Sequence, residues 1–589
     1  MSITKVTYAM IEGIALNVND FGALGDGLTN DSVAITAALQ AGIDTGVPVT
    51  FAAGATYMVN VNEVQVSIPD NGTLTIFGNG ALIKQLTANT NDGNGFNLIA
   101  VESDTSLTKT TTLNISDLNF DASVQPENWT GVLGIGSNAI LAKVGIANID
   151  NCKAQNFFFS SVFRFLTCFY VNVTNCYMNR VGGHTPFDDT ASSAGDAIIF
   201  YDIPNSAAYH ISDCTFIGYP TTPYAGGYPH NLGRAGIVFE KGYGTNPAYT
   251  ATVANCYLEN FSNVIHVEQT AYGDISISNV IAIGGWALIF GAGQYFKIRA
   301  VNCSWRPLVA GNYNGINGFA MCDIGASDYT IDVYDSYYEP VSANRMDGTY
   351  YNCTFADFNK DNFQCGGTTQ AFYNCTFKDI IAGPGADYLF FGDTFTIFDN
   401  CTFNGFNPGA GVDQKVSFAA RGTTQLRMQN CVFNDCGLYL DGDATAETII
   451  DGCKFNYTSA IASLTIVDSG TQIIKMRNSD VFADAASVGT KLNNSTSYSL
   501  VELSNSYVKN ATVYTTYAEP FTMIGSTIEF DTAATPTAQG FYGRFADYVI
   551  LSACTFISPT AVAITLATPD LRNSCVTRIN GTVAPLANI

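Results

Sequence analysis

The 589-residue chain is poor in charge and especially in positive charge. Only 13% of residues are charged, with 26 Lys+Arg against 50 Asp+Glu and a formal net charge of −24. That balance argues against nucleic acid or an anionic membrane as partner, since both are bound by basic surfaces. No run of about 18 apolar residues occurs, so no segment reads as a membrane-spanning helix. No apolar stretch follows Met1-Ser-Ile-Thr-Lys5, and no secretory signal peptide is expected. The 16 cysteines lack paired C-x-x-C spacing, which speaks against zinc, and without secretion they are expected as free thiols. No coiled-coil heptad is found, and no metal or cofactor is implied.

What the chain does have is strand material and a repeat. Hydrophobic residues make up 47%, and 39 Phe with 31 Tyr favour aromatic-rich strands over helices. One phrase recurs: an apolar or β-branched pair, then Asn or Asp, then Cys, then an apolar residue two positions on. It stands at Asn151-Cys152, Asn175-Cys176, Asp213-Cys214, Asn255-Cys256, Asn302-Cys303, Asn352-Cys353, Asn374-Cys375, Asn400-Cys401 and Asn430-Cys431. Gly452-Cys453, Ala553-Cys554 and Ser574-Cys575 are looser copies. Where copies are closest the spacing is 22 to 26 residues, the length of one turn of a β-solenoid. The cysteines are expected as an inward stack of small apolar groups, and the asparagines as a hydrogen-bonded ladder at a bend.

The stretch Val18–Ala41 precedes these repeats. Gly22, Gly25 and Gly27 permit a tight turn. A helix is expected after an N-cap at Asn30 or Asp31, with Val33, Ala34, Ala37, Ala38 and Ala41 on its buried face. Such a helix would plug the open first rung, whose unpaired strand edges need cover. The residues Asp20-Phe-Gly-Ala23, Gly25-Asp-Gly27, Asn30-Asp31, Ala34-Ile35, Val47–Phe51 and Gly54–Tyr57 resemble the opening motif of the pectate-lyase-like superfamily of right-handed parallel β-helices. Lys5–Gly13 is similar to the neck that precedes this motif in bacteriophage tailspikes. The resemblance covers about a tenth of the chain and is specific for fold.

The expected fold is therefore all-β: a right-handed parallel β-helix with a short N-terminal capping α-helix. Residues 1–16 would be a neck or attachment segment and 17–470 the β-helix with groove-forming loops. Residues 471–589 would hold degraded rungs and a trimerisation region. Two intervals are too long for one rung, 38 residues from Cys176 to Cys214 and 42 from Cys214 to Cys256. The surplus reads as loops near Arg180–Gly195 and Gly218–Arg234, with a third near Arg306–Tyr329. Loops of this kind wall a groove.

The strands they feed align as Ala197–Tyr201, Gly236–Glu240, Val264–Glu268 and Ala287–Gly291. Alternation turns Ile198, Ile237, Ile265 and Leu288 inward, and Phe200, Phe239, Val267 and Phe290 behind them. One outward column is then Tyr201, Glu240, Glu268, Gly291, and its neighbour is Ile199, Val238, His266, Ile289. Stacked on adjacent strands about 4.8 Å apart, Glu240 and Glu268 disfavour joint ionisation, which raises one pKa toward that of a general acid. Glycoside hydrolysis needs such a pair, one carboxyl as acid and one carboxylate as nucleophile or base. Asp196 and Asp202, flanking their strand, are further candidates, and Asp188-Asp189 reads as turn chemistry. All four histidines fall between residues 184 and 266. His266 with Arg234 or Tyr201 could serve β-elimination instead, as base and charge neutraliser. His230, Tyr228 and Trp286 are candidate substrate contacts, and Trp305 another ring for sugar stacking.

The resemblance implies a phage tailspike depolymerase, a homotrimer that binds and cleaves bacterial surface polysaccharide, O-antigen or capsule. Its partners would be that glycan, its sister chains and a tail adaptor protein. It would be made in the host cytoplasm and act from the virion at the host surface. A polysaccharide lyase is the alternative within enzymes, and a non-catalytic glycan-binding adhesin or fibre the alternative outside them. A secreted pectinase fits less well without a signal peptide.

Overall fold

The computed structural model describes residues 15–88, 96–103, 109–124, 137–158, 161–182, 195–218, 233–242, 249–268, 271–284, 287–291, 295–306, 320–324, 328–339, 348–356, 364–365, 369–380, 390–392, 395–405, 415–420, 425–435, 437–442, 447–457, 465–469, 473–483, 491–493, 500–511, 513–515, 521–531, 539–543, 549–558, 563–566, 569–571, 576–579 and 582–585. No helix among them is long and apolar enough to cross a membrane.

The plug helix forms at Ser32–Thr45 and ends at Gly46 in the left-handed region (φ +69°). Its entry is held by side chains: Asn30 Oδ1 accepts from the Ser32 N–H at 3.0 Å. The Asp31 carboxylate reaches back to the N–H groups of Leu24 and Gly25, at 2.7 and 3.3 Å. The buried face differs from the expected alanine stripe. Ile35, Ala38, Leu39 and Ile43 are buried, whereas Val33 is 80% exposed. Ile35, Leu39 and Ile43 repeat every four residues and remove more apolar area from water than alanines can. Gly42 permits the close approach, since a Cβ there would lie 2.5 Å from Val49 Cγ2.

Two compact units are distinguished, Met1–Ile316 with Cys322–Ile331, and Asn317–Met321 with Asp332–Ile589. In the first, each rung after the one that carries the helix adds one parallel strand to each of three sheets. Ile146–Asp150, Tyr170–Thr174, Ala208–Ser212 and Tyr249–Ala254 follow one another in the first sheet. Lys153–Phe157, Tyr177–Val181 and Thr215–Gly218 do so in the second. The third contains Phe96–Ser103 and Ser137–Lys143, then β1 (Phe163–Leu166), β2 (Ile198–Ile203), β3 (Gly233–Gly242), β4 (Phe261–Glu268) and β5 (Ala287–Gly291). The second unit repeats the pattern, and its parallel pairing continues through Val549–Ser552 and Pro569–Leu571. It ends in an antiparallel pair, Val576–Ile579 with Thr582–Pro585. The molecule is a right-handed parallel β-helix.

The repeated phrase explains itself at the bend between the first two sheets. Asn151, Asn175, Asn255, Asn302, Asn352, Asn374, Asn400 and Asn430 all adopt φ between +50° and +55°. Asn and Asp tolerate this region better than other side-chain-bearing residues. Their amides run up the bend, Asn374 to Asn352 at 3.2 Å and Asn400 to Asn374 at 2.7 Å. The looser copies Gly452 and Ala553 keep the same conformation, at φ +66° and +54°. The cysteine that follows turns inward. Twelve cysteines are free and buried among the described residues. Beside them run stacked rings, for example Phe377, Phe403, Phe433 and Phe455 at 4.5–4.8 Å between centroids.

Candidate functional site

The site candidates gather on the third sheet of the first unit. Ile198, Ile237 and Ile265 stand in register, as do Phe200, Phe239 and Val267, and all six are buried. On the opposite parity Tyr201 pairs with Glu240, and Glu240 with Glu268. The expected carboxylate column is therefore present as a backbone register across β2, β3 and β4. The next strand is a correction. Ile289 pairs with Ile265 and Phe290 with His266, so β5 is displaced by one residue and Gly291 aligns with Val267. A single-residue slip exchanges the two faces of a strand, and it is Ile289, not Leu288, that stands in register with the buried Ile265.

The neighbouring column is not an open face. Ile199, Val238 and His266 are buried, at 6%, 0% and 6% exposure. Ile199 and Val238 cluster with Ala235, and Tyr201 packs against them. His266 thus lies in a covered layer beside the carboxylates. Trp305, offered as a sugar-stacking ring, is fully buried. His230, Tyr228 and Trp286 lie outside the described residues, as do most residues of the three expected loops. Arg234 is placed on β3 by its backbone only.

Asp196 belongs to a different feature. It is 2% exposed, precedes β2 on the inward parity of Ile198, and accepts from Ser161 Oγ at 3.3 Å. Below it on earlier rungs Asn138 Nδ2 donates to Asn97 Oδ1 at 2.7 Å, and the Asn97 N–H donates to Asn62 Oδ1 at 2.9 Å. Asp196 is therefore a buried, hydrogen-bonded residue at the bend that leads into the third sheet. Asp202 is half-buried, with φ +53°, directly after Tyr201.

Two residues of the site escaped the sequence reading. Arg164 on β1 is in register with Ile199, and its guanidinium carbon lies 5.6 Å from the Tyr201 ring centroid. Burial lowers its pKa, opposed by the charges of Tyr201, Glu240, Asp196 and Asp202. Lys241 Nζ lies 4.5 Å from the same centroid and donates to the Tyr201 hydroxyl. That hydrogen bond raises the Lys241 pKa, with Tyr201, Asp202 and Glu240 contributing charge. Arg164 was legible as the one charge in Val162-Phe-Arg-Phe-Leu166, had the alignment run one strand further back. Lys241 was not, because alternation after Glu240 assigns it inward. Its φ of +51° breaks the alternation and brings its ammonium to Tyr201.

Among the described residues no group of His, Cys, Asp and Glu is arranged to hold a metal ion. The three parallel sheets and the left-handed Asn bends decide the architecture. The chain has the fold of a right-handed parallel β-helix. No family model and no curated protein matches this β-helix. Among solved structures it is similar to the tailspike protein of E. coli bacteriophage HK620 in complex with a pentasaccharide. That match has 11% identity and a TM-score of 0.43, over 84% of this chain and 80% of that one. It is also similar to a Family 28 exopolygalacturonase of Yersinia enterocolitica, at 14% identity and TM-score 0.35, over 75% and 78%. The N-terminal fragment of bacteriophage Phi29 gene product 12 matches at 12% identity and TM-score 0.31, over 97% and 96%. These are likenesses of fold. Chemically, the described side chains set a phenol, Tyr201, between two cations, and Glu240 stands in backbone register with Glu268.

Proposed function

We propose that this β-helix is a tailspike depolymerase that binds a bacterial surface polysaccharide and cleaves it by glycoside hydrolysis. The observation that supports this reading is the backbone register of Glu240 with Glu268 on adjacent strands. In the reaction one carboxyl gives its proton to the glycosidic oxygen as the bond from that oxygen to the anomeric carbon breaks. The other carboxylate attacks that carbon, or takes a proton from the water that does. Carboxyls on adjacent strands suit the retaining separation of about 5 Å. By the resemblance of its opening motif, the protein would work as a homotrimer on the phage tail, joined to an adaptor by its N-terminal segment.

Reducing-end release from a panel of O-antigens and capsules tests this. Wild type is expected to cut one glycan, and Glu240→Gln and Glu268→Gln to lose about a thousandfold in rate while still binding it. Undiminished cutting by both variants would remove the pair from the mechanism. Binding without any cutting would make the protein an adhesin.

A second reading, β-elimination, draws on Tyr201 between Lys241 and Arg164, a phenol beside two cations. Its product would be unsaturated and absorb in the ultraviolet, whereas hydrolysis leaves no such band.

A further inference from the structure

Two faces of the first unit carry no inserted chain where they join. In seven successive rungs, from Ser116–Asn119 to Val301–Ser304, only two residues link a strand of the first sheet to the next strand of the second. The long connections enter the third sheet instead, sixteen residues between Val181 and Ile198 and fourteen between Gly218 and Gly233. The first and second sheets thus form one loop-free surface folded along the Asn bend.

The outward residues beside that bend differ in size between the two sheets. On the first sheet Thr174, Ser212, Ala254 and Ser278 stand in register, and all are small. On the second sheet the column is Tyr177, Thr215, Tyr257 and Ile281. Their neighbours Val173, Val253, Met178 and Leu258 are buried, so alternation turns both columns outward. Tyr177 is 39% and Ile281 48% exposed. The Tyr257 hydroxyl donates to Glu259 at 2.7 Å, which fixes its ring. One rung before Thr174 and Tyr177 the same columns carry opposite charges, Asp150 on the first sheet and an exposed Lys153 on the second.

We propose that this surface joins copies of the chain, the Tyr177, Tyr257 and Ile281 column of one copy seating on the Thr174, Ala254 and Ser278 column of the next. Copies related by rotation about an axis parallel to the β-helix present each rung to the same rung of a neighbour. A contact between two different faces then closes into a ring. At equal height Tyr177 meets Thr174, Tyr257 meets Ala254 and Ile281 meets Ser278, so each bulky side chain finds a small one. Lys153 meets Asp150 in the same way. With a formal net charge of −24, copies repel over most of their surface, and this seam offers an uncharged column and one opposite-charge pair. The inference rests on the homotrimer of the reading above, gives it an interface, and does not involve Glu240 or Glu268.

Light scattering after gel filtration of the full chain is expected to give three times the 62.9 kDa of one chain. Ala254→Arg and Ile281→Glu should reduce this to single chains with unchanged far-ultraviolet circular dichroism. Lys143→Glu, on the third sheet, should leave the assembly intact. Wild type found as single chains, or folded variants that stay assembled, overturns the proposal. Co-expressing chains that carry Thr174→Cys with chains that carry Tyr177→Cys tests the pairing itself. Oxidation should give a covalent dimer from the mixed assembly and none from either variant alone or from wild type. A covalent dimer from Thr174→Cys alone would mean that like faces meet, and a mixed assembly without cross-links that other faces do. Either result overturns the seam. Single chains that still cut a glycan would remove this interface and leave the depolymerase reading standing.

Discussion

The backbone N–H of Cys453 donates to the Oγ of Ser479 on the next rung, at 3.1 Å. Cys176 makes the same contact with the Sγ of Cys214, at 3.4 Å. Ser479 passes the pattern to Ser506 and Ser506 to Ser526, at 3.2 and 3.1 Å. Thiol and hydroxyl thus share one column and one task, catching the N–H that the left-handed bend frees. Cys431→Ser should accordingly cost less than about 1 kcal/mol. Cys431→Leu should cost about 1–3 kcal/mol by overpacking. Urea unfolding midpoints decide it, and a serine variant weaker than the leucine variant would contradict the clamp.

The same burial makes the thiols unreactive. It pushes the Cys168 pKa up to about 12 and that of Cys303 up to about 11. The thiolate is the nucleophile, so at pH 8 the twelve buried cysteines should resist iodoacetamide in the native protein and react in denaturant. Peptide mapping after labelling reads this site by site, and rapid native labelling of the column would refute it.

The Asn bends are a backbone matter first. Asn400 sits at φ +55° and its amide holds Asn374 at 2.7 Å. Asn400→Ala should destabilise by about 1–2 kcal/mol, since alanine pays for the left-handed region and loses the ladder bond. Asn400→Gly should cost less, because glycine adopts that region freely. Equal costs in thermal unfolding would show that the side-chain ladder, not the backbone, dominates.

In the second unit Arg477 meets Glu502 through two bonds, Nε and a terminal nitrogen each 2.7 Å from a carboxylate oxygen. Arg477 holds the Glu502 carboxyl below its ordinary range. Its stabilisation is present above the unfolded carboxylate pKa and is lost as pH falls through the lower folded value. Glu502→Gln should cost about 0.5–1 kcal/mol at pH 7, discounted for partial exposure, and the difference should vanish in acid. A gap between wild type and variant that persists below pH 3 would argue for packing instead.

The sequence by itself determined the repeat, the bend and most of the register. An Asn-Cys phrase every 22 to 26 residues is legible because each rung meets nearly the same neighbours and so needs the same chemistry. Ile198, Ile237 and Ile265 could be aligned because alternation is strict inside a strand. Tertiary structure decided three things that periodicity does not carry. The helix faces the core with Ile35, Leu39 and Ile43 because apolar area, not the number of alanines, sets its rotation. The fourth site strand pairs one residue away from the aligned register, because alternation constrains the faces of a strand but not which residues of its neighbour it meets. Lys241 joins Tyr201 because a left-handed residue overrides alternation, and such a residue is chosen by packing across rungs rather than by its own preference.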